Sequence, residues 1–297
     1  MLGVIIVRLV LIAGCLLVTL VFLAGCAGTG AKSSYSVDNN GVLSMTCAPV
    51  TTGEEVLFYN ETSTKERIIM HTPSGDVVMY LATPGQPKAA MVYVPGAGEM
   101  ITAHDKRMVQ YAAAGYAFLF VDIRGNGGET PGSPFNPQVD FGRFEKGQSP
   151  QFYETVCDII AARRMLTDRF GVPVYAAGSS NGGRYAAVGA ALDPQFAGYI
   201  GISTSGFGMA GEKYTGDARK FLLSVDPDNY IGRITPRPVW IFHSKADSII
   251  PFSDGEELYG HAQDPKTFTG FYGGHGINSD VDDLIIAQWA QIYGTRG

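Results

Sequence analysis

The sequence predicts an α/β fold built on a mostly parallel, eight-stranded sheet flanked by helices. Two observations carry this. From residue 66 to the end, short β-branched or aromatic runs alternate with longer stretches of helical period, the rhythm of strands joined by crossover helices. The chain is also long and apolar enough for a sizeable core, with 297 residues of which 45% are hydrophobic and 17% charged. No internal repeat is visible, and one domain accounts for the folded part.

Strands are expected at 66–72 (ERIIMHT), 76–82 (DVVMYLA), 89–94 (AAMVYV), 117–122 (AFLFVD), 172–177 (VPVYAA), 197–202 (AGYIGI), 238–243 (PVWIFH) and 267–272 (KTFTGF). Pro73-Ser74-Gly75 joins the first two as a hairpin-type turn. Helices are expected at 103–114, 152–170, 181–192, 253–262 and 280–293. In the last, Val281, Leu284, Ile285, Gln288, Trp289 and Ile292 form an i, i+3, i+4, i+7 stripe expected to face the sheet. Two connections exceed simple turns. Residues 125–150 hold six Gly and four Pro, and residues 204–237 form a short cap-like insertion carrying Phe207, Tyr214, Phe221 and Tyr230. Long connections at the C-terminal edge of a parallel sheet are where such folds bind ligands.

The N-terminus reads as an address. Leu9 to Ala24 (LVLIAGCLLVTLVFLA) holds no charge, Arg8 precedes it, and it ends Leu23-Ala24-Gly25-Cys26. A short basic region, an apolar core and small residues describe a secretory signal. The ending resembles the lipobox of prokaryotic lipoproteins, which implies cleavage before Cys26 and lipidation of that Cys. An uncleaved anchor helix is the alternative, since ~20 apolar residues span a bilayer. Residues 1–25 are thus read as signal or anchor, 26–55 as a flexible Gly/Ser/Thr/Asn-rich tether, and 56–297 as the folded domain. Either reading places the domain on the extracytoplasmic face of a membrane.

Four Cys are too few for a disulfide scaffold. In an oxidising compartment Cys47 and Cys157 are free to pair, but Cys157 sits among Val156, Ile159 and Ile160, which favours a buried thiol. Asn60-Glu61-Thr62 fits a glycosylation sequon. The net charge of −6 and the lack of a Lys/Arg cluster argue against nucleic acid as a partner. No phosphate-binding loop, H-E-x-x-H or C-x-x-C occurs, and the scattered His and Asp show no metal-ligand spacing, so neither cofactor nor metal is expected.

The strongest motif is Gly178-Ser179-Ser180-Asn181-Gly182, a G-x-S-x-G directly after an expected strand and directly before a small-residue helix. The Gly either side permit a sharp reversal that presents Ser180 in a strained conformation. Serine is a poor nucleophile alone and needs a base and an orienting carboxylate. Among five His, only His275 sits on a Gly-flanked loop after the last strand. Asp247, in His243-Ser244-Lys245-Ala246-Asp247-Ser248-Ile249-Ile250-Pro251, is the first candidate acid, with Asp254 and Asp264 as substitutes.

With these segments the chain resembles the α/β-hydrolase superfamily over about residues 66–297, and in particular its dienelactone-hydrolase-like and prolyl-oligopeptidase-like members. The resemblance implies an α/β-hydrolase fold and a triad of Ser180, Asp247 and His275. It implies oxyanion donors at the amides of Asn181 and of Ala97 in Val94-Pro95-Gly96-Ala97-Gly98, where Pro95 replaces the family's His and a one-residue misalignment would select Gly98. Asp122-Ile123-Arg124-Gly125-Asn126-Gly127 matches a D-x-R-G-x-G segment whose role is to shape its loop. True dienelactone hydrolases carry Cys where this chain has Ser180. The expectation is a membrane-anchored serine hydrolase acting on a small or medium acyl ester. A serine exopeptidase, or a non-catalytic binding lipoprotein of the same fold, stands as the alternative.

Overall fold

Alternation along the central strands sorts their side chains onto two faces. In β6 (Ala90–Val94), Val92 and Val94 point into one core while Met91 and Tyr93 point into the other. Strand β7 (Ala117–Val121) does the same with Leu119 and Val121 against Phe118 and Phe120. A strand buried on both faces needs helices on both, which is why these runs read as continuously apolar. The computed structural model describes residues 34–59 and 63–294.

The eight expected strands all form: β4 (Thr64–Thr72), β5 (Gly75–Thr83), β6, β7, β8 (Val174–Ser179), β9 (Gly198–Ile202), β10 (Val239–Ser244) and β11 (Lys266–Phe271). A ninth, β3 (Thr51–Tyr59), extends the sheet, whose order is β11-β10-β9-β8-β6-β7-β5-β4-β3. The run from β7 to β11 is parallel, and β3, β4 and β5 pair antiparallel at one edge. Helices α3 (Gln151–Phe170) and α4 (Asn181–Leu192) pack on one face, and α1 (Asp105–Ala113) and α7 (Ser279–Tyr293) on the other. Strand order reverses beside β6, so the loops after β6 and β8 diverge there and open a crevice at the strands' C-terminal ends.

Four expectations need correction. The tether reading fails for residues 34–55. Strands β1 (Ser34–Val37) and β2 (Leu43–Thr46) form a separate hairpin, followed by β3. The partners are remote in sequence, so no local periodicity betrays them: Tyr35 stacks on Phe144 and meets Tyr153 edge-on, and the Leu43 amide donates to the Tyr230 hydroxyl at 2.8 Å. Cys157 is not a buried thiol but forms a disulfide with Cys47, with Cα atoms 5.4 Å apart across 110 residues of chain. Closing a loop of that length removes ~4–5 kcal/mol of unfolded-chain entropy in the simplest treatment.

The long connections also contain helices, α2 (Pro137–Glu145) and α5 (Gly216–Ser224), while α6 (Phe252–His261) lies where expected. Asn136 caps α2 by accepting the Gln138 and Val139 amides, and Pro137 opens its first turn. Phe221 of α5 packs on Phe141 and Phe144 of α2, so the insertion at 204–237 braces the flank of the domain. In α7 only Val281, Ile285 and Trp289 of the expected stripe are fully buried, whereas Leu284 is 41% and Ile292 54% exposed. The i, i+4, i+8 row is the one that meets the sheet, and Leu284 lies about 100° around the helix from it.

The signal or anchor at 1–25, the lipidation site Cys26 and the sequon at Asn60 lie outside the described residues. No helix among the described residues is long and apolar enough to cross a membrane.

Candidate active site

Ser180 sits at the reversal between β8 and α4 with φ 51° and ψ −124°, a region few L-residues adopt. Such a conformation costs ~1–3 kcal/mol and survives only when its surroundings hold it. Here the Ser180 amide donates to the Ile202 carbonyl at 2.9 Å, and the Ser180 carbonyl accepts from Thr204 Oγ1 at 2.7 Å. Close approach explains both motif glycines. A Cβ on Gly178 would lie 2.5 Å from the Gly182 carbonyl, and one on Gly182 would lie 2.1 Å from the Val94 oxygen.

Asp247 and His275 meet across two loops. His275 Nδ1 lies 2.9 and 2.8 Å from the two Asp247 oxygens. A carboxylate only accepts, so Nδ1 carries the proton and Nε2 keeps a free lone pair in the neutral ring. The Ile249 and Ile250 amides donate to Asp247 Oδ1 at 2.9 Å each. Burial pushes the Asp247 carboxyl up, but these amides and His275 outweigh it and hold the group below its ordinary range. Neither substitute acid bonds to His275 among the described residues: Asp254 lies in α6, and Asp264 in the turn before β11. Behind the pair, fully buried His243 donates from Nε2 to the Ile250 carbonyl at 3.0 Å.

In the loop after β6, hydrogen bonds engage all but one of the amides near the serine. The Gly96 amide donates to Glu99 Oε2 at 2.9 Å, the Gly98 amide to Asn126 Oδ1 at 2.9 Å, and the Glu99 amide to the Gly96 carbonyl at 3.1 Å. Among the described residues, the Ala97 amide is left without a partner. The Asn181 amide opens α4, where no carbonyl of the helix can accept it. Ala97, Ser180 and Asn181 line one cleft of about 680 Å³, together with Phe135, Arg184 and Ile250. The insertion at 204–237 contributes nothing to that lining, whereas the connection at 125–150 supplies Asn126 and Phe135.

Asp247 and His275 reach the cleft through neighbours. Ile249 and Ile250, whose amides hold Asp247, line its wall. A Cβ on Gly276 would come within 3.3 Å of Ser179 Oγ, so the His275 loop rests against the base of the elbow. Among the described residues the Ser180 hydroxyl makes no hydrogen bond to the imidazole. Such contacts often tighten only when substrate binds.

Two residues escaped the sequence reading. Glu99 lies under the elbow, accepting from Gly96, from the Tyr93 hydroxyl at 3.3 Å and from Ser179 Oγ at 3.4 Å. His104 Nδ1 accepts from Arg107 at 2.7 Å, which turns its Nε2 proton toward Glu99 Oε2, 3.6 Å away. Burial pushes the Glu99 carboxyl up, yet His104 and the Gly96 amide bring it below its ordinary range. The second is Asn126, whose Nδ2 donates to the Gly96 and Glu99 carbonyls at 3.1 Å each. A lone amide side chain between Gly125 and Gly127 was the one signal for it. The rest of that segment shapes the loop: Asp122 Oδ2 accepts the Glu129 and Thr130 amides at 2.5 and 2.8 Å, and buried Arg124 pairs with Asp158 at 2.7 Å.

Comparison with known proteins agrees with this architecture. Residues 85–225 match the family described as serine aminopeptidase, S33, a span holding Ala97, Ser180 and Asn181 but ending before Asp247. The acetyl xylan esterase from Paenibacillus sp. R4 superposes with a TM-score of 0.66 at 17% identity, over 82% of this chain and 89% of that one. A puromycin-hydrolyzing peptidase of Mycobacterium tuberculosis gives 0.58 at 18%, over 81% of this chain and 41% of that one. A cold-adapted esterase from an Arctic intertidal metagenomic library gives 0.58 at 15%, over 82% and 98%. The uncharacterized protein YfhR of Escherichia coli K12 is 35% identical over 80 residues, and the match covers 25% of this chain and 24% of that relative's length. The chain has the fold of these α/β hydrolases, and residues 85–225 match the serine aminopeptidase family.

Proposed function

We propose that the protein is a serine hydrolase cleaving a small or medium carboxylic ester through an acyl-enzyme. The observation that carries this is Ser180 itself, held at φ 51° and ψ −124° on the strand-to-helix reversal over the cleft. That geometry is costly, and it sets Ser180 in the cleft also lined by Ala97 and Asn181, whose amides have no partner among the described residues.

In this reading Ser180 Oγ attacks the ester carbonyl carbon while His275 Nε2 takes the hydroxyl proton. Asp247, bonded to Nδ1, stabilises the imidazolium that forms. The amides of Ala97 and Asn181 receive the negative charge that develops on the carbonyl oxygen, an arrangement whose loss costs ~10²–10³ in rate per donor. The tetrahedral adduct collapses as the C–O bond to the alcohol breaks, and His275 returns the proton to the leaving oxygen. Water then attacks the acyl-enzyme by the same steps, releasing the acid and regenerating Ser180.

An ester suits a cleft that the 204–237 insertion does not line, and acetyl xylan esterase is among the similar structures. The serine aminopeptidase match favours the second reading, an exopeptidase using the same residues. We further propose attachment to the extracytoplasmic face of a membrane through lipidated Cys26 or an uncleaved N-terminal helix. The apolar run from Leu9 to Ala24 and the Cys47–Cys157 disulfide support that location, since disulfides persist in oxidising compartments.

The test is a fluorophosphonate probe on the intact protein and on S180A. Labelling of the wild type alone is expected, and an unlabelled wild type would leave a binding protein. A panel of p-nitrophenyl esters and aminoacyl-p-nitroanilides then separates esterase from peptidase.

A further inference from the structure

Away from the cleft, the turn Pro227–Asn229 and helix α6 bring together three side chains of metal-binding type. Asp228, Glu257 and His261 each offer one donor atom, and the three atoms all lie within 4.8 Å of one another. Glu257 and His261 are four residues apart on α6, so one helix face carries both. Asp228 is only 7% exposed. Its Oδ2 accepts the Gly208 amide at 2.8 Å, but its Oδ1 is buried with no hydrogen-bond partner among the described residues.

The neighbourhood is short of positive charge. Asp226, fully buried beside Asp228, has an Oδ2 that likewise lacks a partner among the described residues. Arg184 faces both aspartates from α4, yet its guanidinium is bonded to Ser205 Oγ at 2.8 Å and stacks over Phe207. No ion pair joins it to either aspartate among the described residues. A buried carboxylate oxygen with neither donor nor cation is costly, so Asp228 Oδ1 is served by a proton shared with Asp226 or by a bound positive group.

We propose that Asp228, Glu257 and His261 form a site for a divalent transition cation of the zinc class. Two carboxylate oxygens and an imidazole nitrogen suit zinc, whereas calcium takes six to eight oxygens. Tetrahedral zinc bonds of ~2.0–2.2 Å set the donors about 3.3–3.6 Å apart, so donors as far as 4.8 Å from one another close by up to about 1.5 Å on binding. Glu257 and His261 are exposed, so a change of side-chain rotamer supplies that closing. A fourth position is left for water. The cation would pin the turn Pro227–Asn229 of the 204–237 insertion to α6, the helix that follows the Asp247 loop. Its role is structural, and it stands independently of the hydrolase reading. Spacing along the sequence conceals the site because the third donor comes from a distant turn.

The test uses the full-length chain in detergent, stripped with EDTA, dialysed and titrated calorimetrically with zinc chloride and, separately, calcium chloride. One zinc per chain is expected, with no calcium binding. At a hundredfold excess over Kd, zinc should raise Tm by about 5–10 °C. E257Q and H261A, both at exposed positions, should each weaken zinc binding by about thirtyfold or more while leaving the zinc-free Tm and hydrolysis rate unchanged. Failure to bind one zinc per chain, equal affinity in both variants, or calcium binding as tight as zinc would each overturn the proposal.

Discussion

Asn126 accepts the Gly98 amide at 2.9 Å, and this bond takes Gly98 out of the amides left free in the loop after β6. With Gly96 held by Glu99 and Gly98 held by Asn126, the N–H left over is that of Ala97. The same side chain fixes the loop from its other end by donating to the Gly96 and Glu99 carbonyls. The conformation of this loop is therefore held from both ends by a single amide side chain.

Asn126→Ala should accordingly lower kcat on a p-nitrophenyl ester by about 10- to 100-fold, with KM moved less. Asn126→Asp keeps the acceptor for Gly98 but loses both donor bonds, and should fall between. Steady-state kinetics check this, and rates within twofold of wild type for both variants would show that the loop needs no such support.

Asp247 links activity to acid stability. Its folded-state carboxyl lies below the ordinary value of 3.8. Between the two values the unfolded chain binds more protons, so stability rises with pH there and is lost as pH falls through the depressed native value. Thermal melts between pH 2 and pH 5 should show a steeper acid loss for wild type than for Asp247→Asn. At neutral pH the same variant should lose about 10³–10⁴ in kcat, because an amide no longer selects the Nδ1–H tautomer or stabilises the imidazolium.

Gly182 and Gly260 should respond oppositely to alanine. A Cβ on Gly182 would lie 2.1 Å from the Val94 oxygen and 2.3 Å from that of Pro95, so Gly182→Ala must displace the elbow and should abolish fluorophosphonate labelling. Gly260 sits within α6, where a Cβ would meet nothing inside 4 Å. Gly260→Ala should stabilise by about 0.5–1 kcal/mol, because alanine loses less backbone entropy in a helix. Denaturant melts and labelling together check the pair.

The Cys47–Cys157 bond fastens the N-terminal hairpin segment to α3. Reduction, or the double change to Ala, should cost about 2–5 kcal/mol and lower Tm by roughly 5–15 °C. Calorimetry with and without a phosphine reductant reads this directly, and an unchanged Tm would mean that the packing of Tyr35 and Leu43 holds the hairpin unaided.

Much of the site was legible because its signals are local. The G-x-S-x-G turn places Ser180 within a few residues of the strand and helix that define it, and Asp247 and His275 each follow a strand by a short Gly- or turn-rich step. Glu99 was not legible: a carboxylate in a Gly-rich turn looks solvated until Tyr93, His104 and Ser179 are seen around it. Nor was the hairpin of β1 and β2, whose polar residues carry no period and whose anchors are Gln148, Tyr153 and Tyr230.

The sequence by itself determined the eight strands from β4 to β11, the helices α1, α3, α4, α6 and α7, and the position of the reversal at Ser180. Each depends on hydrophobic period and turn chemistry within a window of a few residues. Tertiary structure alone decided the ninth strand, the disulfide, the engagement of the Gly98 amide by Asn126 and the meeting of Asp228 with α6. These depend on which groups find one another across long stretches of chain, where the cost of an unpaired buried polar group, rather than local propensity, selects the partner.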